Sequence, residues 1–549
     1  MLLHTSVDRY RLAIVGSGPA GISAAGRAAA KDREAGRAAP SHILLEAHSL
    51  PANTIQRYQK GKHVMAEPGF LDLRSDIRFE AGIREAILAS WQNDLQEQGI
   101  NFWCGAEVKA ISGERSNFTI VLTDGRTLSA EHVVLAIGLQ GNPRKLGVEG
   151  ENLPLVQYQL DDPEEYRDEQ IIVVGAGDAA IENALALAKQ NDVCILNRRG
   201  EFSRVKDGNL HAVLSAISSP DQRLSCYYST SVAKVVEAAN GGRPLVATLD
   251  TPEGEVVLPC DRIIARLGAI PPRRFVESIG IRFPNDQLDA IPDLSRTYES
   301  NVPGVYIVGA LAGYPLIKQA MNQGYDVVEF IDGNDIKPAD YPLLEYQFHG
   351  LPYDRDVDDL IERFQSLIPM FRELNALAFR ELIIESNIIV SYRSGPEFDE
   401  ASRRARELEQ ELAALGKTPR TTRVLREGDV IYEPGQFGTS FYTIVDGEVM
   451  LERSGDGAGS SSTLARGEFF GEMSLLSGRP RLERAVAGPG CILVETPRRT
   501  MVKLMNSNET VREGIDWIFV VRELQAQFAP FATTADLKEI SGRVDVRRF

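Results

Sequence analysis

The chain has no Cys-x-x-Cys pair. Its five cysteines (Cys104, Cys194, Cys226, Cys260 and Cys491) are scattered over 549 residues. That excludes a disulfide framework or a zinc site built on paired thiols, and predicts reduced thiols in a cytoplasmic setting. A basic excess is also lacking: 60 Lys and Arg stand against 77 Asp and Glu, a net charge of −17, so the surface as a whole repels a nucleic-acid backbone. No apolar run approaches the roughly 18 residues that a membrane span requires. The opening residues, Met1 to Asp8, carry neither the basic region nor the apolar core of a secretory signal. The expectation is a soluble cytoplasmic protein with neither membrane nor nucleic acid as partner. What is present, 43% hydrophobic and 25% charged residues, suits a folded chain long enough for three or four cores.

The apolar run Leu12 to Val15 ends in Gly16-Ser17-Gly18-Pro19-Ala20-Gly21 and passes into an alanine-rich helical stretch. Strand, glycine turn and helix in that order form a dinucleotide cradle. Gly16 permits the tight turn, Gly18 lets backbone approach a pyrophosphate, and Gly21 lets helix and strand pack closely. The helix start favours phosphate through its unpaired N–H groups and dipole. Glu46, closing the next apolar run, is placed to accept from ribose hydroxyls. A second cycle begins at Ile171 and reads Gly175-Ala176-Gly177-Asp178-Ala179-Ala180 after its strand. There the following strand ends in Asn197-Arg198-Arg199 instead of an acid. Guanidinium groups clamp a 2′-phosphate that a carboxylate would repel, which points to NADP rather than NAD.

This pattern predicts an α/β fold with two Rossmann-like domains, one of them discontinuous, followed by a β-barrel. The boundaries read from the chain are 1–156 with 271–335, then 157–270, then a Pro- and Tyr-bearing linker over 336–366. A barrel domain over 367–507 carries a charged helical insertion near 397–420, and a helical connector occupies 508–549. The insertion, with Arg and Glu at i,i+3 and i,i+4 spacing, reads as a solvated surface helix.

Two glycine turns in this order, with the return segment Val302 to Gly309 and the crossovers His132 to Gly138 and Ala265 to Pro272, resemble the thioredoxin reductase family of flavoprotein oxidoreductases. The resemblance implies FAD in the split domain, NADPH in the inserted one, hydride passing from nicotinamide to flavin, and a homodimer. Gly138 and Gly309-Ala310 fall at the family's flavin crossovers. Arg198 and Arg199 with Arg204 look like its 2′-phosphate cluster. Lys318-Gln319-Ala320 resembles the family's Arg-Gln-Ala, whose cation stabilises negative charge on the flavin ring.

The departures are informative. The family has Gly-Asp at Gly309-Ala310, the carboxylate bonding the ribityl chain. Losing one charged hydrogen bond costs about 1.5–3 kcal/mol, or roughly tenfold to a hundredfold in affinity. Thioredoxin reducers carry a Cys-x-x-Cys, and bacillithiol disulfide reductases a cysteine inside the first turn, where Ala20 stands here. With neither thiolate available, electrons leave for an external acceptor; related cysteine-free flavoproteins reduce ferredoxin. No general acid or base and no metal is assigned. The basic stretch Arg57 to His63 is a candidate dock for an acidic carrier, a solvated loop being the plainer alternative. Ala310 and the missing cysteines also motivate a competing reading, a non-catalytic nucleotide sensor on a worn flavoprotein scaffold.

Toward the C-terminus, Gly428 to Ile431, Phe441 to Val449 and above all Phe470-Gly471-Glu472-Met473-Ser474, continuing to Arg481-Leu482, resemble a cyclic nucleotide-binding domain. The resemblance implies that Glu472 accepts from a ribose 2′-hydroxyl and that Arg481 pairs with the phosphate of cyclic AMP or cyclic GMP. Glu483 interrupts the small residues that the family has there. At about 6 Å from a phosphate it would repel by roughly 3 kcal/mol at an effective dielectric near 20, unless Arg484 neutralises it or it points outward. A docking module with a different pocket stays open as the alternative. Phe528 to Ile540 resembles the domain's opening helix again, as the start of a second, truncated barrel or as a docking helix.

Overall fold

The computed structural model of the chain describes residues 4–527 apart from 68, 70, 140–142, 203–204, 206, 219–222, 239–241, 287–289, 354, 375, 415–419, 439, 454–459 and 474–479. The chain divides into two compact units, Met1–Pro68 with Leu73–Ile336, and Gly69–Asp72 with Lys337–Phe549.

At the centre of the first unit Tyr10–Val15 lies parallel to His42–Glu46 on one side and to Thr127–Leu135 on the other. Thr127–Leu135 changes partner along its length. Its first residues pair antiparallel with Asn117–Leu122, and Val133 to Leu135 pair parallel with Val305–Ile307. That late strand closes the discontinuous domain. Ile14, Leu44, Val134 and Ile307 are fully buried or nearly so, the uninterrupted apolar character of a parallel sheet covered on both faces. The helices Pro19–Glu34 and Ile317–Ile331 cross at Gly324, where a Cβ would lie 2.1 Å from the Ala20 carbonyl oxygen. Within the same unit a second sheet runs Leu224–Tyr228, Asp192–Asn197, Gln170–Val174, Arg262–Ala265 and Val156–Gln157, all parallel. An antiparallel meander, Ser231–Glu237, Leu245–Thr251 and Gly254–Cys260, joins it.

The second unit faces a five-stranded sheet containing Asn387–Tyr392, Ser440–Asp446 and Ile492–Pro497 with a four-stranded sheet containing Glu448–Arg453 and Arg484–Ala487. The expected linker over 336–366 is not one. It forms the helices Tyr341–Phe348 and Val357–Leu367, and Leu344, Phe348, Leu360 and Phe364 join Phe371, Phe379 and Ile515 in a buried core. Apolar spacing of three and four builds these helices; Pro and Tyr disguised the first of them. The charged helix Pro396–Ala414 stands between two barrel strands, its Glu400, Arg403, Arg404 and Glu407 paired with one another along one face. Glu509–Gln527 is a single helix, and the segment expected to open a second barrel lies outside the described residues. No described helix is long and apolar enough to cross a membrane.

Candidate functional site

The first glycine turn is shaped by three different constraints. Gly16 has φ +99° and a Cβ on it would sit 2.6 Å from the Ala136 carbonyl oxygen. At Gly21 a Cβ would meet the Gly16 oxygen at 1.9 Å, whereas Gly18 has nothing nearer than 3.8 Å. The turn is therefore closed behind Gly16 and Gly21 and open at Gly18. Glu46, buried at the end of its strand, accepts from the Ser17 N–H at 3.0 Å and from the Ser17 hydroxyl, while its other oxygen accepts from the His48 N–H at 3.0 Å. The Ala52 N–H in turn donates to the Ser17 backbone carbonyl at 3.0 Å. Ser17 is wholly buried, and it escaped sequence reasoning because it occupies a variable position of the glycine pattern.

A cavity of about 790 Å³ opens from this turn. Gly16, Gly18, Pro19, Ala20 and Glu46 line it with Gly138, Gly309, Ala310 and Ala320, and so do Ala179 and Arg266 of the second dinucleotide unit. Lys318 and Gln319 do not. On the helix Ile317–Ile331 it is Ile317 and Ala320 that border the cavity, and residues one and two positions after Ile317 point about 100° and 200° around the axis. Arg57 and Arg266 are the arginines that border the cavity. Arg266 donates to the Tyr158 carbonyl at 3.0 Å, and burial pulls its guanidinium below the ordinary arginine pKa.

In the second turn Gly175 has φ +125° and a Cβ there would lie 2.4 Å from the Arg266 oxygen. Gly177 has open space on that side. Asp178 opens the helix Asp178–Leu187 and accepts from Asn209 at 2.8 Å, and Ala180 is buried against the strand layer. Asn197 braces the next turn from within, its amide donating to the Glu201 carbonyl at 3.0 Å and accepting from the Arg199 N–H at 3.0 Å. Arg198 is exposed and Arg199 half-buried. Burial, then the neighbouring Arg198 charge, lowers the Arg199 pKa, a penalty that a bound anion relieves. Arg204 lies outside the described residues. The basic stretch proposed as a dock is engaged within the unit: Lys60 pairs with Asp162 at 3.2 Å, Lys62 with Glu182 at 2.7 Å, and Gln59 accepts from Asn183 at 2.9 Å.

In the barrel, Phe470 stacks on Tyr442 with ring centroids 4.9 Å apart, and Gly471 turns the chain with φ +89°. Glu472 is fully buried; one carboxylate oxygen takes the Arg522 guanidinium at 2.6 Å, and the other has no hydrogen-bond partner among the described residues. Arg481, also buried, donates to the Gly471 and Ser440 carbonyls at 2.7 and 2.6 Å and lies over the Tyr432 ring at 4.4 Å. Met473 is half-buried, Leu482 is exposed, and Ser474 lies outside the described residues. Arg484 pairs with Glu433 at 3.3 Å and with Glu452 at 3.6 Å, so it is not the counterion foreseen for Glu483. Burial alternates along 481–485 and puts Glu483 on the Arg481 side of the chain. Arg522 is the cation it faces: burial disfavours that charge, yet Glu472 and then Glu483 hold it above the ordinary arginine pKa.

Burial disfavours the thiolate at each cysteine. Burial pushes Cys194 up to about 11 and Cys226, Cys260 and Cys491 up to about 12, and raises Cys104 as well. Among the described residues no cluster of His, Cys, Asp and Glu is arranged to hold a metal ion.

Two strand–turn–helix cradles, the first lining one cavity and the second reaching it through Ala179, are the arrangement of an oxidoreductase of the two-dinucleotide type. The chain belongs to the pyridine nucleotide-disulphide oxidoreductase family, which it matches over residues 13–309, and it carries a cyclic nucleotide-binding domain over residues 422–508. It is 26% identical over 318 residues to a ferredoxin–NADP reductase of Ignicoccus hospitalis, covering 57% of this chain and 93% of that protein. It is 23% identical over 306 residues to the bacilliredoxin reductase Bdr of Bacillus subtilis, covering 54% and 89%. The bacillithiol disulfide reductase Bdr of Staphylococcus aureus shares the fold, with a TM-score of 0.52 at 21% identity over 60% of this chain and all of that one. Its Bacillus cereus counterpart gives 0.51 at 19%, over 59% and 99%. The thioredoxin reductase-like α/β fold and the C-terminal cyclic nucleotide-binding barrel expected from the sequence are both borne out.

Proposed function

We propose that this protein is an NADPH-dependent FAD oxidoreductase that passes electrons to an external acceptor, ferredoxin or a carrier like it, and that its barrel responds to a cyclic nucleotide. The observation carrying this reading is one cavity bordered by the first glycine turn and, within the same unit, by Ala179 and Arg266 from around the second glycine turn. The residues fit FAD: Gly18 and Gly138 present bare backbone to open space, and the Glu46 carboxylate is already oriented by Ser17. In this reading 1–156 and 271–335 bind FAD through Gly16, Gly18, Pro19, Ala20, Gly21, Glu46, Gly138 and Gly309. Residues 157–270 bind NADPH through Gly175, Gly177, Asp178, Ala179 and Ala180. Arg198 and Arg199 clamp the 2′-phosphate, while Asn197 shapes their turn.

FAD, when bound, supplies the step from two-electron hydride chemistry to one-electron donation. The chain's part is to hold both dinucleotides against one cavity and to keep bulk water from the reacting faces. Relatives named as ferredoxin–NADP reductases support this choice of acceptor, as do thiols whose ionisation burial disfavours.

Anaerobic mixing of the FAD-loaded protein with NADPH or NADH tests the reading. NADPH is expected to bleach the flavin faster, and Arg198→Ala with Arg199→Ala to remove the difference. Equal rates in the parent overturn the NADPH assignment, and an unbleached spectrum favours the sensor reading that Ala310 motivates.

A further inference from the structure

We propose that Arg522 is a tethered stand-in for the barrel's ligand: it occupies Glu472 in the ligand-free protein, pins the end of the helix Glu509–Gln527, and is displaced when a ligand hydroxyl claims that carboxylate. This rests on the reading of the barrel as a cyclic nucleotide sensor and specifies how it is switched.

The argument starts from burial. A carboxylate as enclosed as Glu472 is untenable without a charge partner, and the chain supplies one from 50 positions away, Arg522 Nη1 at 2.6 Å. The same guanidinium donates through Nη2 to the Phe469 carbonyl at 2.8 Å and lies over the Phe469 ring at 5.8 Å. Arg522 is thus fastened to backbone, ring and carboxylate at the strand that leads into Glu472. The carboxylate is only half used, since its second oxygen has no donor among the described residues.

Arg481, the residue expected to meet the phosphate, is likewise turned onto backbone carbonyls of its own barrel. Both groups that would recognise a ligand are therefore held by the chain. Val511 and Ile515, nearer the start of the same helix, are sealed into the core with Phe371 and Phe379, so the hold exerted by Arg522 acts on the last turns. A ligand that must first open this contact binds with its intrinsic affinity reduced by the fraction of open protein. By reciprocity, binding loosens the helix to the same degree.

Titration calorimetry of the full chain with cyclic AMP and with cyclic GMP, beside hydrogen exchange of residues 516–527, tests this. Arg522→Ala and Arg522→Gln should bind at least about tenfold more tightly than the parent. In both variants the exchange of 516–527 should be faster without ligand, and adding ligand to the parent should speed it in the same way. Equal or weaker binding by both variants, with the parent still binding, overturns the displacement and leaves the sensor reading standing. Heat from none of the proteins overturns both. Unchanged exchange in Arg522→Gln overturns the latch whatever the calorimetry shows.

Discussion

Gly324→Ala puts the packing of the first dinucleotide cradle to a quantitative test. The added Cβ would lie 2.1 Å from the Ala20 oxygen, 2.9 Å from the Ala24 nitrogen and 3.0 Å from the Ala20 carbonyl carbon, all of them backbone. Carbon and carbonyl oxygen tolerate roughly 3.3 Å even in a close C–H···O contact, so the two helices must part by about 1 Å. A gap of that order forfeits about a quarter to a half of the attraction between facing atoms. Here the facing residues, Ala20, Ala24, Ala28, Met321 and Val328, are all buried. Together with the usual overpacking penalty this amounts to about 3 kcal/mol. In a unit of this size the transition of the first unit should fall by about 4 °C in a thermal melt. Ala20 also lines the cavity, so flavin retained through purification should fall with it. Gly177→Ala is the control: its Cβ meets nothing and should leave the melt of the dinucleotide-free protein within about 0.5 kcal/mol of the parent. A Gly324→Ala protein that melts within about 1 °C of the parent, where a far larger shift is due, refutes the reasoning.

Three further outcomes follow from the charges and thiols. Native protein treated with iodoacetamide near neutral pH should leave Cys194, Cys226, Cys260 and Cys491 unmodified by mass spectrometry, because thiols pushed up to about 11 or 12 carry almost no thiolate there; modification at parity with unfolded protein contradicts this. Burial alone would raise the Asp32 carboxyl, but hydrogen bonds from His42, Ser41 and Arg37 hold it well below the usual carboxylate range. Its contribution is therefore complete above an unfolded-state pKa of about 3.9 and is lost as pH falls from there through the lower folded value. Asp32→Asn should cost about 2 kcal/mol at neutral pH and flatten the acid limb of denaturant midpoints measured against pH; an unchanged limb removes Asp32 from the account. Lys62→Glu should quicken hydrogen exchange in the helix Asp178–Leu187, and adding Glu182→Lys should restore it, since the pair at 2.7 Å is partly shielded and worth up to about 1 kcal/mol. No restoration means that the pair does not hold that helix.

The glycine turns were legible in the sequence because their signal is local and steric. Gly16, Gly21 and Gly175 each occupy a place where a Cβ would collide with backbone, and few other residues survive there. The parallel strands were legible for a related reason, burial on both faces leaving continuous apolar runs. What failed to show were partners separated along the chain. Nothing near Glu46 announces that Ser17 and Ala52 will form one hydrogen-bonded group with it. The lysines at 60 and 62 look free in sequence because Asp162 and Glu182 are more than a hundred positions away. The helix Tyr341–Phe348 was hidden behind Pro and Tyr, residues common in linkers that here cap and fill a core.

The two ligand-binding regions differ in how much rearrangement loading requires, and the difference suits their proposed roles. In the dinucleotide cradle the recognition groups are held in place without being consumed: Gly18 and Gly177 leave their spaces open, and Glu46 is fixed by neighbours on its own side of the turn. Binding there loses little to reorganisation, which favours high affinity and long residence. In the barrel, Arg481 and Glu472 already spend their strongest interactions on Gly471, Ser440 and Arg522. A ligand that uses Arg481, or the Glu472 oxygen held by Arg522, must replace bonds of similar strength, so only the difference appears as affinity. A cofactor site gains from the first arrangement. A sensor needs the second, because a ligand shifts an equilibrium only by its differential affinity for two states, and the Arg522 contact gives the barrel a definite state to leave.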